Sequence, residues 1–242
     1  MSSSTVSKRS YGVDVASYQS ASVNYTGAKF AFVKVTEGTE YVNPKAEAQI
    51  KSAKAHGLMV MGYFYANHST SVSKARAEAK YAVAKAEAFG IPKGSYLADD
   101  FEHGSGNNVN GSISGNTDAI LAAMQVIKEA GYKPMVYSGA YVLHNRVSAS
   151  RIVKSYGTCL WVASYKISGR QDYADFNYFP SMDGVAIWQF TDNYKGYKVD
   201  GNITLINLKI SSGSSQSKST KTAVESLSQH PVVKWNIGAV AV

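Results

Sequence analysis

Met59-Val-Met-Gly-Tyr-Phe-Tyr65, a Ser-capped Ala-rich segment that stops at Gly90, and Tyr96-Leu-Ala-Asp-Asp-Phe-Glu102 follow one another as strand, helix and strand. The helix has its start signal at Ser71 or Ser73. Its stop is Gly90, two residues before Pro92. Two short apolar runs separated by a helix-length crossover form the βα unit of a parallel sheet. Outward toward the N-terminus the same rhythm continues. Tyr11-Gly-Val-Asp-Val-Ala16 and Phe30-Ala-Phe-Val-Lys-Val-Thr36 read as strands, and Asn43-Pro44 opens a helix that Gly57 closes. Toward the C-terminus a helix is expected from about Thr117 to Ala130, stopped by Gly131 and followed by the strand Tyr132-Lys-Pro-Met-Val-Tyr-Ser138.

Beyond that strand the rhythm changes. Leu160–Tyr165, Gly184–Thr191 and Val199–Asn207 are strand-like, but 167–183 lacks helical periodicity and 192–198 is too short for a crossover helix. The last strands are therefore expected to be antiparallel in part. Eight strands with helices over the first half only make an irregular α/β barrel.

A chain of 242 residues holds one domain of that size plus a tail. With 45% hydrophobic and 17% charged residues it has the composition of a globular protein. Seventeen Tyr and three Trp suit a sugar cleft as well as a core. Cys159 is the single cysteine, which excludes an internal disulfide and a multi-cysteine metal site; it reads as a small buried residue. The histidines at 56, 68, 103, 144 and 230 lack metal-ligand spacing, so neither a metal nor another cofactor is expected. No apolar run follows Lys8-Arg9 and none reaches 18 residues, so neither a signal peptide nor a membrane span is expected. A net charge of +8 favours a polyanionic partner, nucleic acid or the phosphate-rich polymers of a bacterial wall. The lysines are spread along the chain and no recognised nucleic-acid motif accompanies them, so no nucleic-acid partner is expected. A monomer is expected.

Strand alternation puts Asp100 and Glu102 on one side, their Cα atoms roughly 6–7 Å apart, with Asp99 and Phe101 on the other. Two carboxyls that close influence each other's proton affinity, as acid/base chemistry at a glycosidic bond requires. Acids after a strand also arise simply because loops are solvated and Asp caps helices. In a barrel, chemistry sits at the carboxyl ends of the strands. Asp14, Glu37, Tyr65, Asp100, Glu102, Tyr137, Trp188-Gln189 and Asp200 all fall there. Glu37 is also within ion-pairing reach of Lys34, and His103 reads as a solvated neighbour of Glu102.

Tyr11-Gly-Val-Asp-Val-Ala-Ser-Tyr-Gln19, Phe32-Val-Lys-Val-Thr-Glu-Gly38, Gly62-Tyr-Phe-Tyr65, Asp100-Phe-Glu102, Leu160-Trp-Val-Ala-Ser-Tyr165 and Ile187-Trp-Gln-Phe190 with Val199-Asp200-Gly201 resemble, in order, the motifs of glycoside hydrolase family 25. These are lysozymes of the Chalaropsis type, including many phage endolysins. The resemblance covers about residues 10 to 208 and departs at Asp99, where the family commonly has an apolar residue. It implies a flattened, irregular (β/α)5β3 TIM-like barrel and hydrolysis of the β-1,4 bond between N-acetylmuramic acid and N-acetylglucosamine in peptidoglycan. By position Glu102 matches the general acid, and Asp100 matches the carboxylate that holds the acetamido group or stabilises the cationic transition state. Asp14 and Asp200 match two further acids on the cleft floor, and Glu37, Tyr65, Tyr137 and Trp188 match positions around the sugar subsite.

The expected organisation is an N-terminal extension over 1–9, a catalytic domain over 10–210, a Ser-rich linker over 211–220 and a remnant or truncated wall-binding segment over 221–242. A phage or prophage endolysin, made in the cytoplasm and acting at the wall after release, fits these expectations. Two other classes compete: a non-catalytic wall-binding barrel, and a chitin-directed glycosidase, for which a longer series of alternating acids on the fourth strand would be expected. Ser95, Leu97 and Ala98 interrupt such a series.

Overall fold

The computed structural model describes residues 4–210. The expected linker at 211–220 and the segment at 221–242 lie outside the described residues. Eight strands close a barrel: β1 (Tyr11–Val15), β2 (Ala28–Glu37), β3 (Met59–Tyr65), β4 (Tyr96–Asp100), β5 (Lys133–Gly139), β6 (Leu160–Ala163), β7 (Val185–Thr191) and β8 (Asp200–Thr204). The first seven run parallel in chain order. β8 closes the ring antiparallel to both β7 and β1. The expected partial reversal is thus confined to one strand, because the long 164–184 connection returns the chain far enough for β7 to stay parallel to β6.

The helices are α1 (Ala46–Ala55), α2 (Val72–Ala88), α3 (Ile113–Glu129), α4 (Ala140–Asn145) and α5 (Ala149–Tyr156). Ser71 caps α2, its Oγ accepting from the Lys74 N–H at 3.4 Å. α3 starts four residues before the expected Thr117, because Ser112 supplies the cap and accepts from the Gly115 N–H at 3.0 Å. Ala75, Ala79, Ala82 and Ala86 form a buried stripe on α2, and Ala119 and Ala123 belong to the same core. Small side chains at this helical spacing let the helices and sheet approach closely.

Alternation along each strand sorts the core. Phe30, Phe32, Met59, Met61, Tyr63 and Trp161 point inward and fill the lower barrel, with Phe32 stacked on Trp161 at 4.3 Å between ring centroids. Val13, Val33 and Val35 point outward and meet the helices. Cys159 is buried, and burial pushes its thiol up to about 12, so it packs rather than reacts. Residues 4–6 of the expected extension are a strand, Ser4–Val6, paired antiparallel with Leu208–Ile210 beneath the barrel.

Candidate active site

Inter-strand register builds the site as a row. Glu37 pairs with Tyr65, Tyr65 with Asp100, Asp100 with Tyr137 and Tyr137 with Trp161 across β2 to β6. Facing that row, Asp14 on β1 is directly opposite Asp200 on β8. These residues and Glu102 line one cavity of about 320 Å³ whose mouth carries Tyr18, 90% exposed. Seven of the eight residues singled out in the sequence, namely Asp14, Glu37, Tyr65, Asp100, Glu102, Tyr137 and Asp200, come together here.

Trp188 does not. It is 1% exposed on the outward side of β7, packed edge-on against Phe176 and Phe179, with its indole N–H donating to the Ser164 carbonyl at 2.8 Å. Alternation gives the inward place to the next residue, Gln189. The aromatic floor is instead Trp161, which the motif Leu160-Trp-Val-Ala contains but which was not singled out. Lys34, Tyr63 and Gln19 line the cavity as well. Lys34 could have been found from its parity with Phe32 on β2.

A polar frame fixes the floor. Asp14 Oδ2 accepts from Gln189 Nε2 at 2.8 Å and from Asn202 Nδ2 at 2.7 Å. Asn202 Oδ1 in turn accepts from the Trp161 indole at 2.7 Å, and Gln189 Oε1 from the hydroxyls of Tyr137 and Tyr165 at 2.9 and 2.6 Å. Each amide is therefore oriented by its partners rather than free to flip.

Charge is poorly balanced. Five carboxyls line the cavity with one cation, Lys34, whose ammonium is 2.7 Å from Glu37 Oε2. Burial, with Asp14 next to it, pushes Asp200 up to about 9. Asp14 itself is raised by burial, against the pull of its hydrogen bonds. Asp100 is held well above the usual carboxylate range by burial and then by Glu102, with partial relief from Lys34. Its Oδ1 is buried with no hydrogen-bond partner. Glu102 is raised by burial and by Asp14.

All four shifts have the same sign. A folded-state value above the unfolded value means that stability is greatest below about pH 4 for that group and is lost as pH rises through the folded value. The protein is accordingly expected to melt at a higher temperature near pH 5 than near pH 8, acid effects elsewhere being equal. Asp200→Asn keeps a donor toward Asp14 and removes the ionisation, so this variant should show a flatter profile and a higher Tm at about pH 9. Calorimetry across that range checks it, and a profile unchanged from wild type would contradict the assignment of Asp200.

Among the described residues, no group of three or more His, Cys, Asp or Glu is arranged to hold a metal ion, and no helix is long and apolar enough to cross a membrane. The family profile of the glycosyl hydrolases family 25 matches residues 13–199. A lysozyme of Lactococcus phage mv1 is 42% identical over 179 residues, 73% of this chain and 89% of that protein. A lysozyme of Streptococcus phage Cp-1 is 31% identical over 207 residues, 84% of this chain and 56% of that protein. The crystal structure of the Cpl-1 endolysin complexed with a peptidoglycan analogue superposes with a TM-score of 0.69 at 30% identity, covering 84% of this chain and 56% of that one. The chain thus spans little more than half the length of the Cp-1 lysozyme and most of the lactococcal one.

Proposed function

The chain belongs to family 25 of the glycosyl hydrolases and is a lysozyme-type glycoside hydrolase, and on that premise we propose that it cleaves the N-acetylmuramic acid–N-acetylglucosamine β-1,4 bond of peptidoglycan with Glu102 as proton donor. The observation that carries this reading is the pairing of Asp100 and Glu102 in one cavity, both shifted toward the protonated form. Glu102 is the less buried of the two and lines the open part of the cavity, so its proton can reach the glycosidic oxygen. Loss of that proton leaves a carboxylate beside the cationic transition state. Asp100, buried beneath, shows the cavity only a small edge of its carboxyl, and we assign to that edge the contact with the N–H of the substrate's acetamido group. Asp14 and Asp200 face each other on the floor, each raised toward its protonated form, and Tyr65 and Tyr137, half-buried on the cavity wall, offer ring area to a sugar.

Products from purified peptidoglycan test the bond assignment. Fragments ending in reducing N-acetylmuramic acid support it; reducing N-acetylglucosamine ends, or binding with no release, overturn it.

The reading extends to a phage or prophage endolysin acting at the wall, supported by the phage origin of the similar lysozymes. We propose anionic wall polymers as a further partner. Lys29, Lys54, Lys93, Lys128, Lys154 and Lys209 are exposed at the barrel end opposite the cavity, where Glu87, Glu129 and Asp183 are the local acids. Retention on walls carrying phosphate-rich polymers should fall steeply between about 50 and 500 mM salt. A bound fraction indifferent to salt would remove these polymers as partners.

A further inference from the structure

Glu102 stands two residues past the last residue of β4, so the strand ladder does not hold it. Phe101 is still anchored: its N–H donates to the Tyr137 carbonyl at 2.9 Å, and its own carbonyl accepts from Ser138 Oγ. Among the described residues, the hydrogen bond that reaches the Glu102 backbone comes from Asn107, whose Nδ2 donates to the Glu102 carbonyl at 2.8 Å. Asn107 is 2% exposed and fully engaged. Its backbone N–H and carbonyl exchange bonds with Gly104 at 3.1 and 3.2 Å, closing the 102–107 segment on itself. Its Oδ1 accepts from the Ser69 N–H at 2.9 Å.

Ser69 is held in turn. It has a positive φ of 49°, which a non-glycine residue keeps only where its surroundings over-determine it. Its Oγ accepts from the Asn108 N–H at 2.9 Å, and its carbonyl lies 2.9 Å from His68 Nδ1. A carbonyl only accepts, so Nδ1 carries a proton. Nε2 then faces both oxygens of Asp99 at 3.2 and 3.3 Å. Both side chains are 0% exposed, and the imidazole stacks on Phe101 at 5.4 Å. Burial disfavours the imidazolium, but Asp99 and the Ser69 carbonyl outweigh it, so His68 is held above its usual value. Asp99 and His68 form a buried, hydrogen-bonded pair on the outer face of β4.

We propose that Asn107 is a positioning residue for Glu102, anchored through Ser69 by the His68–Asp99 pair. β4 thus bears Asp100 on its inner face and, through Asp99 on its outer face, braces the next acid along the chain. This gives a physical role to Asp99, the position where the chain departs from the family's usual apolar residue. The inference rests on Glu102 being the proton donor.

The test is Asn107→Leu, which keeps the branched shape and the number of heavy atoms, with some added bulk and no charge, but removes both side-chain hydrogen bonds. Kinetics are read on soluble glycan oligomers released from peptidoglycan, beside a melting curve and a pH profile. A misplaced acid should lower kcat on the order of ten- to a hundredfold while KM and the pH limits stay near wild type. Wild-type kcat in the folded variant overturns the proposal. So does a fall in kcat that only tracks the folded fraction, since that is a structural role. Should Asn107→Leu fail to fold, Asn107→Ser is read by the same criteria. Glu102→Gln serves as the gate: if it stays active, the assignment of Glu102 fails, whereas an inactive Glu102→Gln beside a fully active Asn107 variant overturns the positioning role alone.

Discussion

Glu102→Gln is expected to lose nearly all turnover while folding at least as well as wild type. Gln fills the same volume and can still hydrogen-bond the glycosidic oxygen, but it has no proton to transfer. General acid catalysis contributes about 10²–10⁴-fold, so kcat should fall by that order. Stability should move the other way. Because burial and Asp14 raise the Glu102 value, its ionisation opposes folding above the unfolded value, and an amide removes that penalty. The pair of readings is diagnostic: release of reducing ends collapses, and the melting temperature near pH 7 holds or rises. Clearing of walls at a wild-type rate would sink the assignment, and lost activity with an equally lost fold would mean that the residue is structural.

Asp100→Asn is expected to have the second-largest effect, with a different signature. The residue is 4% exposed and its Oδ1 is buried with no partner within the protein, an arrangement that costs free energy and helps hold the carboxyl toward its neutral form. The edge that lines the cavity is the part placed to meet an acetamido N–H. Asn keeps one acceptor oxygen but replaces the other by a donor and removes the ionisable group, so that no carboxylate can form there as positive charge develops in the transition state. We expect kcat to fall about 10²-fold or more, since preorganised groups aimed at developing charge are worth that much when removed. The same substitution takes away a carboxyl that burial holds well above the usual range, so the alkaline loss of stability should shrink. If turnover on oligosaccharides survived within a few-fold, Asp100 would be a buried spectator.

How much of this could be read from the chain depends on how local the cause is. The strands at 11–15, 59–65 and 96–100 announce themselves through apolar runs bounded by Gly, Pro or Ser, whereas Glu102 reaches the cavity from beyond the end of its strand, where alternation from Asp100 no longer applies. The outward place of Trp188 is not legible in the chain because all seven residues of β7 are buried, so polarity does not mark which face is which. The start of α3 is hidden because Ser114, Gly115 and Asn116 interrupt its apolar period, leaving Ser112 as the sole cue. Glu37 was open to two readings, ion pair or cleft residue, and the structure makes it both. Asn107 and Ser69 are 38 residues apart in the chain and meet through one hydrogen bond, from the Ser69 N–H to the Asn107 side chain, so nothing in either segment alone signals the contact.

The ribbon formed by Ser4–Val6 and Leu208–Ile210 has a mechanical consequence. Ser4 is directly opposite Ile210, so tension between these two residues loads the outermost pair first and opens the ribbon one pair at a time. A zipper of this kind yields at low force, whereas the long staves behind it share any load among many bonds. Pulled from these two points, the barrel should give at its fastening first and leave the wall of the cavity whole.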